Sequence, residues 1–199
     1  APPPPPAAPG GAPRPPIMAS RLEEWWRGLP LVTSGVLLVC VAVHGLSFAL
    51  SVAPMTVALI PARVLFNGEL YRFFSAALSH GGILHLLMNS MSLLSVGSSL
   101  ERQFGSLQLL TLSLWAVVLT GTAYTLVCWG AAFAVGDGSW LRHACVGYSC
   151  VLFAYAVLES HHTTVPTRSV FGMFSVPSKL YPWVLLVALQ VILPNVSFL

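Results

Sequence analysis

An all-α architecture, a polytopic bundle of membrane helices, follows from three features of this 199-residue chain. Hydrophobic residues make up 56% of it and charged residues only 8%, where a soluble domain carries about 25% charged residues. Its mean hydropathy is +0.79. The apolar residues also fall in long runs, several close to the roughly 20 residues that carry a helix across a hydrocarbon core. So few charges cannot clothe a surface for water, and the lipid bilayer is the expected surroundings.

Taken in order, residues 1–16, APPPPPAAPGGAPRPP, have fixed φ angles and few N–H donors, and predict an extended leader. The disordered leader is assigned to residues 1–20 and the membrane domain to residues 21–199, with its C-terminal end incomplete and Met18 an alternative start. SRLEEWWRG, residues 20–28, reads as a short interfacial helix with Trp25 and Trp26 at headgroup level. Span 1 is expected over residues 29–50, and the connection over 51–79 is amphipathic, broken by Pro54 and Pro61 and carrying Arg63, Glu69 and Arg72. Span 2 covers residues 80–100 and span 3 residues 107–134; the polar loop VGDGSWLRH follows. Span 4 is expected over residues 144–158 and span 5 over 181–193, ended by Pro194. Spans 4 and 5 are short for a bilayer and fit better inside a bundle. With the N-terminus in the cytosol, Arg14, Arg21, Arg27, Arg102, Arg168 and Lys179 face it, against Arg63, Arg72 and Arg142 opposite. The positive-inside rule favours that orientation.

Several function classes fall away. The net charge of +3 comes from scattered residues, with no basic run to follow a nucleic-acid backbone. Cys40, Cys128, Cys145 and Cys150 include no CxxC pair and read as packing residues. His161 and His162 lack the further ligands of a metal site, and no cofactor motif is present. Asn195-Val196-Ser197 is a glycosylation sequon, placed too near the membrane for modification.

Chemistry is concentrated in three places. Gly147-Tyr148-Ser149 opens span 4, where a serine gains little from burial. Ser149 is either a first-turn residue capping free N–H groups or a nucleophile whose own N–H is available to an oxyanion. Gly147 permits a close or strained backbone approach. In span 2, His85 and Asn89 stand four apart and share a helix face. Polar groups inside a membrane helix either bond to a neighbouring helix or serve a functional site. They should lie at the depth of Ser149, where two side-chain donors and an amide would form an oxyanion hole. Gly97, Glu101 and Gly105, spaced by four at the other end of span 2, form a structural motif: a carboxylate accepting loop amides between glycines that allow tight turns.

Together LYRFFSAALSH, HLLMN, GSSLERQFG, GYS and VPSKLYPWVLLVALQVILPNVSFL resemble the rhomboid family of intramembrane serine proteases, in the same order from about Val32 to Leu199. Within that family the chain looks most similar to the endoplasmic-reticulum members, which implies an endomembrane location. The resemblance implies five of the six core transmembrane helices, Ser149 as catalytic nucleophile, and oxyanion stabilisation by His85, Asn89 and the Ser149 amide. It also implies transmembrane protein substrates and a membrane-embedded connection over residues 51–79. The chain departs from the pattern twice. Cys150 stands where the family's G-x-S-G motif has its second glycine, and the catalytic histidine of a sixth helix is expected beyond Leu199. A non-catalytic relative that binds membrane-protein clients for degradation or trafficking is the alternative.

Overall fold

A computed structural model of the chain describes residues 17–170 and 172–192. Residues 1–16 of the leader, the stop at Pro194 and the sequon lie outside the described residues, while residues 17–20, assigned to the leader, are helical. The expected interfacial helix runs over Ile17–Arg27 (α1), earlier than its sequence signal, and an exposed Glu23–Arg27 ion pair closes one of its turns. Span 1 is α2, Leu31–Ala49. The connection folds into a 3₁₀ turn at Pro54–Thr56, then α3 (Pro61–Asn67) and α4 (Arg72–Leu78). Span 2 consists of α5 (Ile83–Ser92), a wider π-helical turn at Leu93–Gly97, and α6 (Ser98–Phe104). Span 3 is α7, Ser106–Val135, and the polar loop holds a 3₁₀ turn at Gly138–Arg142. Span 4 is α8, Ser149–His162, and span 5 is α9, Tyr181–Ile192.

Three of these stretches, Leu31–Ala49, Ile83–Phe104 and Ser106–Val135, are long and apolar enough to cross a membrane. Their outer surfaces are what lipid requires: Phe133 is 87% exposed, and the spanning windows are only 11–33% buried within the protein. The fourth expected span differs. At 14 residues α8 is about 21 Å long, well short of a hydrocarbon core of about 30 Å. It starts at Ser149 and not at Ala144, because the residues before it are extended. Between α8 and α9 the chain makes a two-stranded antiparallel hairpin, β1 (Thr167–Val170) with β2 (Phe174–Pro177), which the sequence reading did not anticipate.

Helix α8 occupies the centre. Tyr148, Val151, Leu152 and Tyr155 are buried against Leu93, Leu100, Leu109, Ala116 and Val117 from the second and third spans. Tyr155 and Ser113 of α7 share a buried hydrogen bond between their hydroxyls. A second, smaller core joins Leu59, Val64 and Ala76 of the connection to Cys145. Backbone pairing reinforces that core: Leu59 and Cys145 exchange N–H···O bonds of 2.9 and 3.0 Å, and Gly147 N–H donates to Ala76 O at 2.8 Å. The connection thereby grips the strand-like segment that delivers the chain to Ser149.

One arginine fastens the connection itself. Arg72, 5% exposed, donates from Nη1 to Thr56 O at 3.0 Å and Ala58 O at 2.6 Å, and from Nε to Glu69 Oε2 at 2.6 Å. A buried guanidinium is tolerated only when its donors are met. The hydrogen bond from Arg72 in turn holds the Glu69 carboxyl below its ordinary value. Sequence reading counted Arg72 as one loop charge among several; it is an internal clamp.

Candidate active site

Two polar centres sit toward opposite ends of the second span. At one end Glu101 is 3% exposed and accepts four hydrogen bonds: from the N–H groups of Val32 and Thr33 at 2.8 and 2.7 Å, from Thr33 Oγ1 at 2.8 Å and from Ser106 Oγ at 2.7 Å. The amides belong to the first turn of α2, where helix geometry leaves donors without partners and the dipole favours a negative charge. Glu101 therefore caps a neighbouring helix, where the sequence suggested amides of its own loop. Gly105 has φ +91°, the tight-turn role expected of it. Gly97 differs: it lies within the π-helical turn, where a Cβ would meet Leu93 at 2.9 Å and Thr33 Oγ1 at 3.4 Å. Its small size lets the second span approach the α2 terminus that Glu101 holds.

At the other end Gly147, Ser149, His85 and Asn89 come together. Gly147 has φ +117°, and a Cβ built there would stand 2.7 Å from both Cε1 and Nε2 of His85 and 3.5 Å from Asn89 Nδ2. The imidazole and the carboxamide thus press directly on the backbone that leads into Ser149. Asn89 donates from Nδ2 to His85 O at 3.1 Å, which ties the two within α5. His80, before α5, sets its ring edge-on to His85 with centroids 5.2 Å apart.

Ser149 is the first residue of α8 and is 3% exposed. The start of α8 has no side-chain cap, and Ser149 Oγ is buried without a well-formed hydrogen bond among the described residues. The capping reading accordingly loses its physical basis. Leaving a buried hydroxyl unsatisfied costs about 1–3 kcal/mol, a cost expected where an oxygen is held for another purpose. The Ser149 N–H belongs to the first turn, whose amides lack intrahelical acceptors.

His85, Asn89 and Ser149 line one cavity of about 300 Å³ between α5, α8 and α9. Its far wall carries Glu159, which pairs with Arg168 of β1 at 2.8 Å and raises the guanidinium pKa, and Tyr181. The hairpin missed by sequence reading therefore supplies a charge that closes the lower end of the cavity. Cys150 points elsewhere. It packs with Cys145 and Leu59, and it lines an apolar cavity of about 340 Å³ between α7, α8 and α9. Among the described residues, no group of three or more His, Cys, Asp or Glu side chains is arranged to hold a metal ion.

Chemically, the arrangement combines a hydroxyl, two side-chain nitrogens and a helix-start amide at the head of a membrane-level cavity. That set can bind and polarise a carbonyl.

Comparison with known proteins agrees in kind. Residues 67–199 match the family model described as Rhomboid domain. The chain is 35% identical over 183 residues to Rhomboid-like protein 15 of Arabidopsis thaliana, covering 90% of this chain and 45% of that protein. It is 35% identical over 127 residues to Rhomboid-related protein 4 of Homo sapiens, covering 64% of this chain and 40% of that protein. Rhomboid-like protein 14, mitochondrial, of Arabidopsis thaliana is 30% identical over 140 residues, or 70% of this chain. The chain spans less than half the length of these curated relatives.

Proposed function

The chain belongs to the rhomboid family, and from that premise we propose that it carries the nucleophile and oxyanion site of an intramembrane serine endopeptidase. One observation supports this reading above the others: Ser149 Oγ is buried, without a well-formed hydrogen bond, at the head of a cavity that His85 and Asn89 share. In the proposed reaction the Ser149 oxygen attacks the scissile carbonyl of a transmembrane substrate, and the carbonyl π pair moves onto oxygen. His85, Asn89 and the Ser149 N–H stabilise that charge. The serine proton passes to a general base and then to the departing amine, and water releases the acyl group from Ser149.

By resemblance to the family the base is a histidine outside the described residues. The segment leading into Ser149, bonded to Leu59 and Ala76 through Cys145 and Gly147, fixes where the hydroxyl enters the cavity. The multi-pass chain resides in an endomembrane, the endoplasmic reticulum by resemblance, and its substrates are transmembrane proteins.

The alternative, a rhomboid relative that binds membrane-protein clients without cleaving them, draws on one specific feature. Cys150 occupies the family's glycine position, and its thiol fills space beside α7 that a glycine would leave for closer helix packing. Cleavage decides between the two. The full-length protein, reconstituted in liposomes, should cut a labelled transmembrane substrate, and Ser149→Ala should abolish the product while the protein stays folded. Cleavage that survives Ser149→Ala, or no cleavage with clients still captured, overturns the protease reading.

A further inference from the structure

The sulfur chemistry around Ser149 is not used by the proteolytic reading. Cys145 lies four residues before the serine and Cys150 directly after it. Both thiols face one small cavity, about 30 Å³, together with Thr120, Tyr124, Gly147 and Val151. They pack in the same cluster with Leu59 and Ala76. Cys145 is buried and fixed by its paired backbone bonds to Leu59. Cys150 is partly exposed and also borders the larger apolar cavity, so it is the thiol that an incoming molecule reaches first. The third nearby thiol, Cys128, is buried and lines neither of these cavities. Cys40 belongs to a different cavity, beside His80 and Tyr148.

We propose that Cys145 and Cys150 form a redox-active dithiol, oxidised to a disulfide by a small peroxide, which closes a covalent ring around Gly147 and Ser149. The cavities select the oxidant: the shared one has room only for a molecule little larger than water, and the larger one is apolar, so hydrogen peroxide enters and charged glutathione does not. Cys150 sulfur attacks one peroxide oxygen. An S–O bond forms, the O–O bond breaks, and the thiol proton leaves with the departing hydroxide as water. Cys145 sulfur then attacks the sulfenic sulfur of Cys150; the S–S bond forms, the S–O bond breaks, and the Cys145 proton leaves with that hydroxide as a second water. Two thiols lose two electrons and one peroxide becomes two waters. The ring draws the first turn of α8 toward the connection, away from the packing that sets His85 and Asn89 against Gly147. Oxidation is thereby a reversible brake on the loop that carries the nucleophile.

The test reads the disulfide itself and so stands apart from the proteolytic reading. The full-length protein in lipid nanodiscs is treated with hydrogen peroxide, its remaining thiols are alkylated, and it is digested with chymotrypsin, which cuts after Tyr148. Mass spectrometry should find the Cys145 and Cys150 peptides joined, with Cys40 and Cys128 alkylated and the link reversed by a thiol reductant. With Cys145→Ser, a dimedone adduct should appear on Cys150. Oxidised glutathione at the same concentration should produce no link. Alkylation of both thiols after peroxide, a Cys150–Cys128 bridge, or a link between two chains would each overturn the proposal. If the ring forms and the protein is a protease, substrate cleavage falls on oxidation and returns on reduction.

Discussion

Gly147 decides the geometry of the site at the scale of single residues. Its φ of +117° lies where side chains other than hydrogen are strained, and the space a Cβ would take belongs to His85 at 2.7 Å. Gly147→Ala should therefore displace the imidazole as well as strain the backbone, at about 1–3 kcal/mol for the strain alone. The expected outcome is a lowered Tm in detergent and a larger loss of cleavage than that stability change explains; unchanged cleavage would contradict the placement of His85. Much of this was legible in the sequence. Gly-Tyr-Ser at an apolar edge and His85 with Asn89 on one helix face are local patterns, and local spacing survives folding. Arg72 was not legible, because one arginine in a polar connection looks the same whether it faces water or clamps the carbonyls of Thr56 and Ala58.

Elements are joined by two carboxylates with different jobs. Glu101 binds the start of α2 to the end of the second span through four hydrogen bonds. Hydrogen bonds to a charged acceptor contribute about 1.5–3 kcal/mol each when well formed, and orphaning the donors forfeits them. Glu101→Ala should cost about 3 kcal/mol or more and lower Tm sharply, while Glu101→Gln, which keeps one acceptor oxygen, should fall between. Equal stability of all three proteins would refute the capping role. Glu69 acts at the connection. Its carboxyl pKa is depressed by Arg72 in the folded protein. Its contribution is therefore present above the unfolded carboxyl value and is lost as pH falls through the lower folded one. Pepsin cleavage between Pro54 and Leu78, normalised to its rate on an unfolded peptide at each pH, should rise as the pH falls through the depressed Glu69 value, and Glu69→Gln should be cut readily at pH values where the wild type resists. A pH-independent cleavage pattern in the wild-type chain would remove the pairing from the account. The expected helices of spans 1 to 3 match closely because length and apolarity define them. Span 4 starts later than expected, since residues 144–148 are as apolar as the helix but Cys145 and Gly147 bond to Leu59 and Ala76 instead of entering it.

On the proposed reading, the whole molecule places water-dependent chemistry within a bilayer. Three long apolar helices provide the crossing, and they surround a short helix whose first residue opens a cavity between α5 and α9. The composition made the bundle legible, because 8% charged residues leave no other large-scale solution. The hairpin over 167–177 was hidden, since its two four-residue strands pair only with each other. The account rests on Ser149 being an activated oxygen in a hydrated cavity, and covalent labelling reads that most directly. The full-length protein in native membranes, exposed to a small fluorophosphonate, should carry one adduct, on Ser149, in proportion to lost cleavage, and Asn89→Ala should slow its formation. Cleavage blocked by the reagent with Ser149 unmodified, or cleavage persisting when Ser149 is fully labelled, would contradict it.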